Sequence, residues 1–317
     1  MTKRAFSAIF SAFFMFTLFT SLLCLSAGGA QEKELRLICE KGSMQIENMH
    51  WSIYRIGERS SSGFVLTGRF ADYPVNVSDI NEENVRGIAQ ALESFVVGDE
   101  LAPDAEGLTD AEGAVSFKGI EPGLYLAIPR KLKVGTIDYR STPLLAEITV
   151  GRESVFPKVY SSVVVGSEDA VYAVKKVWLD KGNAMGARPS GITVDLYGNG
   201  KKTDTVTLDE TNGWMHTWSG LDADLEWRVV ERNVPEGYTV MLECDLNQFL
   251  LKDVMDEGTV TTGTTTSSQT TVTSAGKDDD IPKTGQPWLP VFYLSVGGLV
   301  LIGAGLLVKR RADKDEK

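Results

Sequence analysis

The chain has 317 residues and a formal net charge of −11. That acidic balance, with no basic stripe along it, argues against a nucleic-acid partner. His50 and His216 stand far apart, the cysteines show no metal-ligand spacing, and there is no Gly-x-Ser-x-Gly elbow or Walker motif, so no metal, no cofactor and no conventional enzymatic activity is expected.

At the N-terminus, Lys3 and Arg4 precede a nearly unbroken apolar run from Ala5 to Leu25, closed by Ser26-Ala27-Gly28-Gly29-Ala30. A basic start, an apolar stretch and small residues before a polar segment make a secretory signal peptide over 1–30, with cleavage between Ala30 and Gln31. The alternative is an uncleaved membrane anchor. Leu23 before Cys24 argues against a lipoprotein.

Residues 31–165 read as a β domain of short strands with Gly, Asn and Asp turns. Cys39 alternates with Leu35 and Leu37, which predicts a buried core thiol. A helix interrupts the strands: Asp79 and Glu82 form a capping-box pair, and Ile88, Leu92, Phe95 and Val96 share one helical face. That face is expected to pack on the sheet rather than to serve as a docking surface. Val155-Phe156-Pro157-Lys158 then ends a strand before a connector.

Residues 170–255 show strand periodicity more clearly. Tyr172, Val174, Lys176 and Trp178 alternate along one strand, and Asn199-Gly200 joins two others as a hairpin turn. Several strands with no helical period predict a β-sandwich. Cys244, alternating with Val240 and Leu242, reads as a second core thiol in a separate domain from Cys39, so no disulfide is expected. Lys176 shares a face with Val174 and Trp178, Glu231 with Trp227 and Val229, and Asp253 with Phe249 and Leu251. Three ionisable groups aimed into a core need a reason, because an unpaired buried charge is costly. By pattern alone they are a buried ion pair or frayed strand ends.

Lys176-Val177-Trp178, residues 188–194 (Arg-Pro-Ser-Gly-Ile-Thr-Val), Asn212-Gly213-Trp214 and residues 230–238 (Val-Glu-Arg-Asn-Val-Pro-Glu-Gly-Tyr) make this region resemble a Cna B-type domain of Gram-positive surface proteins and pilins. The last stretch also resembles the pilin E-box, Glu-x-x-x-Pro-x-Gly-Tyr. The resemblance implies an immunoglobulin-like β-sandwich and an autocatalytic isopeptide bond between Lys176 and Asp253, with Glu231 as its catalytic residue. The first domain looks like a divergent copy: residues 51–54 parallel 194–197, and 113–120 parallel 213–221 with one residue of slack. This sets Tyr125 on Trp227 and Pro129 on Glu231, with the lysine position near Arg36, so no isopeptide is expected there. Val155-Phe156-Pro157-Lys158 resembles the pilin motif Val-Tyr-Pro-Lys, with Phe for Tyr and without the upstream Trp, which would make Lys158 a pilin lysine.

A Thr- and Ser-rich linker follows over 256–280, too polar to bury a core. Ile281-Pro282-Lys283-Thr284-Gly285 comes next, then an apolar segment at 287–308 long enough to cross a bilayer and a basic tail over 309–317 beginning Lys309-Arg310-Arg311. Motif, apolar helix and basic tail in this order resemble the LPXTG cell-wall sorting signal, with Ile for Leu. The resemblance implies cleavage by a sortase between Thr284 and Gly285 and transfer of Thr284 to peptidoglycan. The expected fold is therefore all-β, two tandem sandwiches with a helix inserted in the first. The expected protein is secreted and wall-anchored through a membrane-spanning precursor, a structural or adhesive display module. The alternative is a pilus subunit polymerised through Lys158. Host or extracellular-matrix ligands and other pilins are the further partners this implies.

Overall fold

The computed structural model describes residues 33–149, 151–163, 169–245 and 247–255. The signal peptide with Ala30 and Gln31, the linker, the sorting motif, the apolar segment and the basic tail lie outside the described residues. No helix among the described residues is long and apolar enough to cross a membrane.

The first unit contains β1 (Glu34–Ile38), β2 (His50–Ser60), β3 (Gly63–Leu66), α1 (Val85–Gly98), β4 (Ala105–Leu108), β5 (Ala114–Lys118), β6 (Gly123–Pro129), β7 (Leu132–Val134), β8 (Ile137–Arg140), β9 (Leu144–Ile148), β10 (Arg152–Val155) and β11 (Tyr160–Val163). A sheet ordered β10-β1-β5 faces a larger one ordered β9-β6-β2-β3, with β4 also on β2, while β11-β8-β7 form a small third sheet. The second unit contains β12 (Asp169–Leu179), β13 (Gly191–Gly198), β14 (Lys201–Asp209), β15 (Met215–Asp222), β16 (Trp227–Glu231), β17 (Tyr238–Asp245) and β18 (Gln248–Met255). Its sheets run β15-β12-β18-β17 and β14-β13-β16. In the first unit β1 pairs in parallel with β10, and in the second the first strand, β12, pairs in parallel with the last, β18.

Local chemistry explains the elements. Asn199 and Gly200 both take positive φ, 47° and 78°, as a two-residue type I′ turn requires, and Gly198 pairs with Lys201 across it. Strand β6 alternates between two cores. Leu124 and Leu126 point to one side, and Tyr125 and Ala127 to the other, so the strand is apolar on both faces. The inner core joins Leu35, Leu37, Trp51, Ile53, Phe117 and Ile148 between the two sheets of the first unit. The outer core is continuous across the units, from Ile56, Phe70 and Leu126 through Leu92 and Phe95 to Val229, Leu242, Phe249 and Leu251.

Helix α1 is the bridge. Its expected face is buried at Ile88, Leu92, Phe95 and Val96, but so is every other residue from Gly87 to Val96. The helix packs on β6 and β9 of its own unit and on β16 and β17 of the next. Those two strands end the two sheets of the second sandwich on the same side, so α1 closes the open edge between them. Its start also differs from the expected one. The N-cap is Asn84, and Asp79 contributes only its carbonyl, which accepts from Asn84 Nδ2 at 2.7 Å, while Asn84 Oδ1 accepts from Asn81 N at 2.8 Å. The linked asparagine turns place the helix start five residues beyond Asp79.

Close approach at this junction depends on small residues. A Cβ on Gly87 would stand 3.3 Å from Met241 Cβ, and one on Gly98 would stand 3.1 Å from Val230 Cγ2. Polar groups cross as well: Arg228 Nη2 meets Glu93 Oε1 at 3.0 Å, Gln90 Oε1 accepts from Cys244 N at 3.2 Å, and Arg232 Nη1 meets Asp99 Oδ1 at 2.9 Å.

Candidate functional site

Three strands converge on one buried charge cluster. On β12 and β18, parallel neighbours, Lys176 lies opposite Leu251 and Asp253 opposite Trp178, so the lysine and the aspartate are two residues out of step on the same face. Glu231 ends β16 in the facing sheet, opposite Val194, and reaches across the core. Lys176 Nζ lies 2.6 Å from Glu231 Oε2 and also touches Asp253 Oδ1. The side chains of Lys176 and Asp253 are 0% exposed and that of Glu231 is 1% exposed, so bulk water screens none of these charges.

The surroundings are aromatic. Lys176 Nζ lies 4.7 Å from the Trp178 ring centroid, and Trp178 meets Trp214 and Tyr238 edge-on at 5.2 and 5.3 Å. Burial pushes the Glu231 carboxyl up to about 7, with Lys176 opposing that rise and Asp253 adding to it. Burial also raises Asp253, again against the pull of Lys176. Both carboxyl groups are thus held toward their protonated forms beside an amine, a pairing suited to condensation. The Asp253 carboxyl group lies against both Lys176 and the Glu231 carboxyl group.

A supporting network escaped sequence reasoning. Tyr238 Oη donates to Asp180 Oδ2 at 2.9 Å, and Arg188 Nε donates to the same oxygen at 2.6 Å. The Arg188 guanidinium holds the Asp180 carboxyl well below the usual carboxylate range. The network fixes the Tyr238 ring against Trp178 and so one wall of the cluster. Its signal was present in the matching stretches that contain Arg188 and Tyr238, although Asp180 sits outside them.

The first unit has a Lys131–Asp138 pair, 3.7 Å apart, but at another place in the fold, and pairing registers show which residues stand where Lys176, Glu231 and Asp253 would be. Leu35 pairs with Phe117 and Leu37 with Val155, as Tyr172 pairs with Trp218 and Val174 with Phe249. Continuing both registers puts Cys39, not Arg36, at the position of Lys176. The Glu40–Lys158 bridge then matches Val177–Lys252, which puts Val159 at the position of Asp253. Trp51 opposite Pro129 repeats Val194 opposite Glu231, so Pro129 stands as expected. Cys39 and Val159 lie in the inner core, where burial pushes the Cys39 thiol up to about 11. Cys244 is half-buried, and no disulfide joins it to Cys39.

Lys158 is exposed at the edge of the first unit, between buried Pro157 and Val159, with Nζ 5.1 Å from the Tyr160 ring. Phe156 beside it is 64% exposed. Among the described residues no cluster of His, Cys, Asp or Glu could hold a metal ion.

Residues 172–272 match the family model described as the Cna protein B-type domain, the last of them lying outside the described residues. A 76-residue stretch, 22% of this chain, is 42% identical to the collagen adhesin of Staphylococcus aureus, of which it spans 6%. Among solved structures, a single B repeat unit of the collagen-binding surface protein of S. aureus is similar at 18% identity and TM-score 0.27, over 71% of this chain and 98% of that one. The shaft pilin SpaA of Lactobacillus rhamnosus GG is similar at 14% identity and TM-score 0.26, over 71% and 98%. The minor pilin GBS52 of Streptococcus agalactiae is similar at 13% identity and TM-score 0.25, over 74% and 99%. The chain therefore contains a Cna B-type domain, and Lys176, Glu231 and Asp253 all lie within it.

Proposed function

We propose that this protein is a wall-anchored surface module of a Gram-positive cell, attached by a sortase at Thr284 and cross-linked internally between Lys176 and Asp253. The observation that carries this reading is the contact of an amine with two carboxyl groups in a sealed core, at the junction of the first and last strands of one domain. Lys176 Nζ attacks Cγ of Asp253, a C–N bond forms and a C–O bond breaks. The nitrogen attacks as the free amine on the carboxylic acid of Asp253, and the one proton it loses is passed by Glu231 to the displaced hydroxide, which leaves as water. The acceptor is a carboxylic acid, so water leaves rather than ammonia.

The bond suits a tether. Load enters the domain at the start of β12 and leaves from the end of β18 toward the linker and the anchor. With Lys176 joined to Asp253, tension passes through the cross-link and spares the strands between them. The folded units then act as a structural or adhesive head on a Thr-rich stalk, facing host or extracellular-matrix ligands, with peptidoglycan at the other end. Changing Thr284→Ala should shift the protein from the wall fraction to the membrane or the medium. Release of the variant from digested walls at wild-type yield would contradict sortase anchoring.

A second reading, a pilus subunit polymerised through Lys158, is favoured by the exposure of Lys158 beside the exposed Phe156. Detergent-resistant ladders in wall extracts that vanish in Lys158→Ala would select it.

A further inference from the structure

Among the described residues, Trp214 is the one aromatic residue with a positive φ, at 59°. Glycine or asparagine takes that conformation readily, whereas a bulky side chain is strained in it. The preceding turn delivers the residue there. Asp209 accepts from Thr211 N and Asn212 N, Gly213 follows at φ 63°, and Trp214 N donates to Asp209 O at 2.8 Å. Strain held in place by its surroundings points to a use for the side chain. That use lies beside Lys176. Strand β15 pairs with β12, Trp218 opposite Tyr172 and His216 opposite Val174, and beyond them Trp214 O accepts from Lys176 N at 2.9 Å. The Trp214 ring meets the Trp178 ring edge-on at 5.2 Å, and Lys176 Nζ lies over that same Trp178 ring at 4.7 Å. Trp178 stands directly opposite Asp253 on β18. Its Nε1 has no hydrogen-bond partner among the described residues, so the set of the indole depends on what packs against it. Two rings do so, Tyr238, itself held by Asp180, and Trp214.

We propose that Trp214 is a positioning residue for Lys176: its carbonyl holds the backbone at the lysine, and its indole steadies the Trp178 ring against which the amine lies, which keeps Nζ on the Asp253 carboxyl group. A lysine amine rides on a flexible four-carbon stem, and bond formation is fast only from the few arrangements that reach Asp253 Cγ. The strained backbone is then the condition for placing a large ring at the end of β15, next to the reacting strand. This inference rests on the reading of Lys176, Glu231 and Asp253 as a bond-forming set.

The test follows bond closure in chains spanning 31–280, made in a cell-free system, stopped in acid at intervals and read by intact mass. Trp214→Gly keeps the carbonyl and takes positive φ without strain, but lacks the ring. It should slow the loss of water roughly tenfold, as expected when a reacting group loses its alignment. Trp214→Phe, which keeps a ring at that place, should restore closure to near the wild-type rate. Trp218→Leu is the control, because Trp218 is buried on the same strand but opposite Tyr172, away from the charge cluster. It should lower the melting temperature and leave the rate of closure unchanged. A wild-type rate in Trp214→Gly, equal slowing in Trp218→Leu, or no rescue by Trp214→Phe would overturn the proposal and leave the cross-link standing. A wild-type chain that never loses water would instead overturn the reading of the site itself.

Discussion

A lysine held between two carboxyl groups in a sealed core stands under strong constraints. Removing one member of a buried charge set leaves the others uncompensated, which costs about 3–5 kcal/mol in typical cases. Cross-linked, the set carries no such liability. Glu231→Ala should therefore leave the β-sandwich in place but unlinked. By the loop-entropy account, closing a loop of 253 − 176 = 77 residues contributes about 4.5 kcal/mol through the unfolded chain. The melting temperature of the variant should fall by about 10 °C or more, checked by calorimetry against wild type. The pH dependence follows from Glu231, whose carboxyl burial raises from 4.5 to about 7. Its proton-donating form is abundant below that point and is lost above it. The rate of bond closure should thus decline as pH rises through about 7, measured by quenching newly made chains. A rate that climbs steadily through pH 8 would show that Glu231 need not carry a proton.

Helix α1 decides how the units behave together. It is buried on all sides because one face serves its own sheet and another closes the next sandwich. Glu93→Gln would leave Arg228 without its closest counter-charge. Because the Arg228 side chain is 23% exposed, the expected cost is about 2 kcal/mol, less than for a sealed pair. Both units should lose stability together, seen as one unfolding transition shifted down with denaturant. Two separated transitions in wild type would show that the units are independent. The helix was legible from the spacing of Ile88, Leu92, Phe95 and Val96, because that face meets an ordinary core. Its second partner was not, since Gly87, Ala91, Ser94 and Gly98 mark a close-packed face only once a neighbour is known. Its start was misplaced because Asp79 and Glu82 fit a capping pattern that the Asn81 and Asn84 turns displace.

At the scale of the molecule, the two units share a plan but not a chemistry. Alternation alone exposed Lys176, Glu231 and Asp253, since charged residues in register with Trp and Leu stand out along a strand. The counterpart in the first unit was harder to read. The repeat pointed to Arg36 for the lysine place, three residues short of Cys39, and any odd-numbered slip turns a strand position to the opposite face. The small sheet of β7, β8 and β11 was not foreseen, because its strands are short and largely exposed. With Cys39, Pro129 and Val159 in the three positions, the places in the first unit that match Lys176, Glu231 and Asp253 hold no amine, acid or acceptor. The central claim is that the second unit alone closes a bond between its first and last strands. The most direct test is the intact mass of freshly purified chain spanning 31–280, followed by peptide mapping. The account predicts a mass one water below that of the sequence, with the loss confined to a linked pair of peptides carrying Lys176 and Asp253. The full unreacted mass, or a loss mapped to the first unit, would contradict it.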